Sequence, residues 1–183
     1  MSTVRSLAVS LAVVVASAAC GSSPSIAPPP FSAEQIRAAT DPGRTYVFRV
    51  GQGGSVAAIR TLTFTRSGER VTRIHAVMTS PDGEVLGPAS DEEVTWDELV
   101  GHASWPAAAT TISEDRVEVP AGTFDAMLYT VRTTTEEGDE SVIRAWFARS
   151  LPGAPVRFEQ SSGGEVQFLM ELLEHRAGTR QPR

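Results

Sequence analysis

Apolar and polar residues alternate along most of the chain from residue 45 to residue 176. In "EVQFLMELLEH", Val166, Phe168, Met170 and Leu172 share one face, and Glu165, Gln167 and Glu171 share the other with Leu169 and Leu173. Val156 and Phe158 oppose Arg157 and Glu159, and Val56, Ala58, Leu62 and Phe64 oppose Thr61, Thr63 and Thr65. A period of two marks strands that bury one side. Turn chemistry punctuates the runs: "DPGR", "GQGG", "SG" at 67 and 68, "SPDGE", "PAGTF", "EEGDE", "LPGAP" and "SSGG". The pattern predicts an antiparallel meander of eight or nine strands. Threonine-rich faces, including Thr133 to Thr135, suit the solvated side of a sheet. A sheet with one apolar face must curl around it or pack it on another element.

Two short segments break the alternation. In "FSAEQIRAATDPG", Ser32 and Gln35 form a capping box, Ile36 and Ala39 share a face, and Asp41-Pro42-Gly43 ends the element. The spacing predicts a helix over Ala33 to Ala39. In "DEEVTWDELVGHASWP", Thr95 and Glu98 repeat the capping box, and Val94 and Leu99 form a hydrophobic staple. Asp97 and Glu98 complement the positive helix terminus, and Gly101 and Pro106 bracket the other end. Trp96 and Leu99 fall together, with Ala103 close by, so this helix should lay its tryptophan into the open side of the sheet. The expected fold is mainly β: a curled antiparallel half-barrel over residues 32–176, closed by one or two short helices, with a disordered tail at 177–183.

Composition narrows the classes of function. A chain of 183 residues is a prior for one domain. The net charge of −6 gives no electrostatic reason to bind nucleic acid. All sixteen basic residues are arginine. The single cysteine, Cys20, cannot form an internal disulfide.

That cysteine sits at a seam. Arg5 precedes an apolar stretch from Leu7 to Ala19, shorter than the roughly 20 residues that cross a bilayer. The stretch matches a secretory h-region ending in Ser17, Ala18 and Ala19. Cys20 and Gly21 follow, and "SAAC" resembles the lipobox of bacterial lipoproteins. The resemblance implies a signal peptide at 1–19, a diacylglycerol on the Cys20 thiol, and an envelope location through that lipid. Gly21 implies the outer membrane, facing periplasm or surface, if the cell has two membranes. "GSSPSIAPPP" then supplies a Gly/Ser/Pro tether over residues 20–31.

The order "TYVFRV", "WDELVGHASWP", "VEVPAGTFDAMLYTV", "AWFARSLPGAPVRFE" and "FLMELLE" is similar to an uncharacterised family of bacterial lipoproteins and periplasmic proteins. That family resembles the half-barrels of lipoprotein and lipid carriers. The resemblance covers most of Thr45 to Glu174 and brings no catalytic residues with it.

Candidate chemistry is sparse. His75, His102 and His175 lack metal-ligand spacing, so no metal is expected. Asp91, Glu92, Glu93, Asp97 and Glu98 have no glycine turn of the calcium type, and two of them are explained by capping. There is no G-x-S-x-G, and "GQGGS" does not open a helix. Neither enzymatic activity nor a cofactor is expected. The remaining candidates are apolar: Phe48, Phe64, Met78, Trp96, Trp105, Phe124, Trp146, Phe158, Phe168 and Met170 fill a core or line a groove. A cavity above roughly 300 Å³ would distinguish a ligand-binding module from a filled one. The expected function is extracytoplasmic binding of a lipid or other apolar ligand. The alternative is an assembly protein that meets an envelope protein through its sheet edges, and an envelope hydrolase ranks last.

Overall fold

The computed structural model describes residues 25–52, 55–134 and 138–179. Cys20 and the expected signal peptide lie outside the described residues, as does Thr135. Nine antiparallel strands form one curled, unclosed sheet: β1 Thr45–Gln52, β2 Ser55–Ser67, β3 Val71–Thr79, β4 Ser90–Thr95, β5 Thr110–Val119, β6 Gly122–Thr134, β7 Glu140–Ala148, β8 Arg157–Ser162 and β9 Glu165–Arg176. The spatial order is β4-β3-β2-β1-β9-β8-β7-β6-β5. Two meanders are therefore sewn together at the β1–β9 pair, and β4 and β5 are the edges.

Helix α1 spans Ala33–Ala38 and α2 spans Trp96–Gly101. Both capping boxes read from the sequence are present, with Gln35 bonded to Ser32 and Glu98 to Thr95. Burial of these helices, more than their six-residue length, must hold them. Trp96 is buried with Phe31, Ile36, Ala103, Tyr129, Ala145 and Phe147, and its Nε1 donates to the Gly68 carbonyl. The expectation that α2 would lay its tryptophan against the sheet is met. β4 ends where α2 begins, and β5 starts at the opposite end of the strands. The connection over residues 96–109 thus runs the height of the gap between the two edges and occupies it.

The two ends of the curl are unlike. At one end, here the rim, lie Gln52, Ser55, Thr79, Ser90, Thr134, Glu140, Ser162 and Glu165. At the other end, the base, backbone bonds cross between elements: Gly43 N to Phe64 O, Ala121 N to Leu172 O, Leu172 N to Val156 O, and Thr179 N to Pro42 O. Gly153 closes the base with φ of 138°, and a Cβ there would stand 2.9 Å from Tyr46 Oη.

Several boundaries differ from the sequence reading. α1 stops at Ala38. Ser90–Thr95, expected only as the approach to a helix, is a strand. β5 begins at Thr110, ahead of the "RVEV" run that signalled it. Within the segment expected to be a tether, Ile26 bridges Pro106 and Ala27 N bonds Trp105 O, while Ala27 and Phe31 are buried.

Candidate functional site

The concave face carries a cavity of about 320 Å³. Its sheet wall comes from Phe48 of β1, Leu62 and Phe64 of β2, Ile74 and Ala76 of β3, Phe147 of β7, Phe158 of β8 and Met170 of β9. Register explains the assembly. Phe158 lies opposite Met170 across β8 and β9, and Leu62 opposite Ala76 across β2 and β3. Residues opposite one another in an antiparallel pair project on the same side. The second wall is Phe31, Ile36, Leu99, Val100, Ala103 and Trp105, supplied by the helices and their flanks. The cavity exists because short helices cover a tall sheet incompletely. The exposed lining residues Arg60, Ser90, Glu92 and His102 mark its mouth beside the β4 edge.

Beneath the cavity, the base holds a buried cation. Arg44 is 2% exposed, and its bonds go to neutral acceptors: Nη1 donates to Thr40 Oγ1 and to the Pro152 carbonyl, and Nε donates to His175 Nε2. Its guanidinium lies 4.8 Å from the Tyr46 ring centroid, a cation–π distance. Burial lowers the Arg44 pKa. Burial also pushes the Tyr46 hydroxyl up to about 12, against the opposing pull of Arg44, so Tyr46 stays neutral. His175 is pushed down, first by burial and then by Arg44. A neutral imidazole there can accept the hydrogen bond that Arg44 Nε donates.

The opposite face of the central strands is ionic. Glu171, 4% exposed, bonds Arg49 at 2.6 Å and Arg157 at 3.0 Å. Arg157 also pairs with Glu159, which Arg144 approaches. Trp146 lies under the Arg157 guanidinium and donates Nε1 to Asp115. Charge-assisted bonds on both sides of Glu171 compensate its desolvation.

The groove residues expected from sequence fall in several places. Phe48, Phe64, Trp105, Phe158 and Met170 line the cavity together. Trp96 is packed behind it. Met78 shares the concave face through its pairing with Arg60, but stands beyond the mouth, 39% exposed. Phe168 is edge-on to Phe158 toward the rim. Trp146 belongs to the ionic face, and Phe124 lines a separate hollow with Leu151 and Leu173. Sequence reasoning missed Leu62, Ile74, Phe31 and Ile36 as lining. The first two were legible in the alternation, because they stand two residues from Phe64 and opposite it across β2 and β3.

The remaining polar candidates are placed as follows. His75 Nδ1 lies 3.2 Å from Asp91 on the outer rows of β3 and β4. His102 caps the end of α2. Among the described residues no three His, Cys, Asp or Glu side chains gather as metal ligands, and no helix is long and apolar enough to cross a membrane.

No family model and no curated protein matches the sequence. A solved structure is similar in fold: a protein of Bacteroides fragilis named as exported and as having a YmcC-like fold. It is 12% identical, with a TM-score of 0.51 over 75% of this chain and 97% of that one.

Proposed function

We propose that this chain is a lipid-anchored module of the cell envelope that shelters a small apolar ligand, or one acyl chain of a larger amphiphile, inside its curled sheet. The cavity of about 320 Å³ carries the reading. Ligand sites span about 300–1,000 Å³, so this one suits a single chain or ring system. Its aromatic and methionine lining adapts to a flexible guest. Arg60, Ser90 and Glu92 stand where a polar end would emerge. An extracytoplasmic location is supported by the pattern around Cys20 and by the fold shared with a protein named as exported. Acylation at Cys20 and residence at an outer membrane rest on the sequence pattern alone. Binding is favoured over strand-addition assembly because the edges carry Asp91, Glu92 and Glu93 on β4 and Glu114, Asp115 and Glu118 on β5. Charged edges discourage pairing with another strand.

Native mass spectrometry of the mature protein tests both halves, since it reports the mass at Cys20 and any passenger. Titration with a hydrophobic fluorophore should give saturable uptake. Ala76→Phe, which fills the cavity from its wall, should abolish uptake and leave the unfolding midpoint in place. A passenger-free spectrum with no uptake overturns the ligand reading. An unmodified Cys20 overturns the anchor.

A further inference from the structure

Exposed large apolar side chains are unevenly distributed. Among the described residues, Val56, Met78, Val85, Leu86 and Val166 are 39–62% exposed and belong to the rim, and Ile112, 40% exposed, lies on the β5 edge two residues in from its rim end. Val56 is the second residue of β2, Met78 the last but one of β3, and Val166 the second of β9. Val85 and Leu86 sit on the β3–β4 connection, where Leu86 N bonds Met78 O and Val85 bridges Thr79. This brings them beside Met78, whose cross-strand partner Arg60 lines the cavity mouth. Clustering of this kind at one pole is unlike the scattered apolar exposure of an ordinary surface.

The chain enters the fold at the same pole. Ser25 O accepts from Ala107 N, and Ile26 bridges Pro106, just ahead of the rim end of β5. Ile26 is itself 54% exposed. Cys20 precedes Ser25 by five residues, and five residues span at most about 18 Å when fully extended. A lipid on Cys20 therefore holds the rim, and not the base, against the bilayer.

We infer that the rim is a membrane-docking face, with Val85, Leu86 and Met78 inserted among the lipids and the cavity mouth opening toward them. This deepens the proposed function and rests on its anchor at Cys20. Asp82, Glu84 and Glu165 flank the patch, so the partner surface is a zwitterionic bilayer, and anionic lipid weakens the contact. The apolar ligand then passes between bilayer and cavity without crossing open water.

The test uses the mature full-length protein purified from membranes and reconstituted into phosphatidylethanolamine–phosphatidylcholine vesicles. With Cys20 blocked by its thioether, as the anchor requires, Leu86→Cys and Thr123→Cys each offer one site for a fluorescent label, and labelling of the parent protein would itself report a free Cys20. The label at position 86 should be quenched by nitroxide lipids, and the label at position 123, at the base end of β6, only by aqueous quenchers. Adding Val85→Asp to the protein labelled at 86 should cut lipid quenching roughly tenfold, the scale of losing one buried aliphatic contact. Aqueous quenching at both positions, or equal lipid quenching at both, overturns the docking face. Fluorophore uptake and Cys20 mass are read on the same sample. Lost uptake with position 86 in lipid would sink the cavity reading alone, and an unmodified Cys20 would sink the anchor.

Discussion

The base and the rim are built from the same strands and serve opposite ends. At the base, strands meet loops through backbone bonds, Arg44 is satisfied by neutral acceptors, and Gly153 leaves no room over Tyr46. At the rim the β3–β4 connection is held to the end of β3 by backbone bonds but leaves the Val85 and Leu86 side chains in the open. Tight closure at one pole lets the other remain unfilled: the base holds the curl's shape, so the cavity need not be packed to hold the walls apart. Stability should therefore reside at the base and the seam, and binding toward the rim.

The largest expected effect comes from the seam. Phe48 is fully buried between base and cavity, stacked on Tyr46. Phe48→Ala should cost about 3–5 kcal/mol, measured by urea denaturation. Gly153→Ala should cost about 1–3 kcal/mol, because a side chain meets both a positive φ and the Tyr46 hydroxyl. If the base tolerated both changes, the contrast would fail.

A smaller effect should follow pH. The folded state holds His175 neutral below its ordinary value of 6.5, through burial and Arg44. As pH falls through 6.5 the unfolded chain takes up a proton that the folded chain still refuses, so stability declines. The decline ends once pH passes below the lowered folded pKa. Arg44 and Tyr46 face the ring, with Glu174 adjacent in sequence, and none of them supplies a counter-charge bonded to it. Comparing denaturation midpoints at neutral and mildly acidic pH should show the loss, and His175→Gln should flatten it. The smallest effect belongs to the rim: Leu86→Ser should change stability by less than about 0.5 kcal/mol. A larger loss would mean that the rim is part of the core.

Much of this architecture was legible in sequence because alternation, turn residues and caps are local signals. The capped starts of α1 and α2 could be read because each cap lies within four residues. β4 escaped because an edge strand with Asp91, Glu92 and Glu93 exposed has no apolar face to alternate. Trp146 reads from the sequence as one more large apolar residue for the groove; all four residues of "AWFA" are buried, so burial does not choose its face, and its pairing with Arg157 puts it on the ionic one. Arg44 was invisible as a core residue. An arginine reads as surface, and its histidine partner lies 131 positions away.

The pairing of β1 with β9 also sets an order of events. The centre of the sheet joins an early strand to a late one, and neither meander can complete the concave face alone. Cotranslational folding cannot finish before β9 leaves the ribosome, and the long sequence separation slows closure thereafter. A nascent polypeptide of this design remains threadable through a secretory channel until its final strand is made.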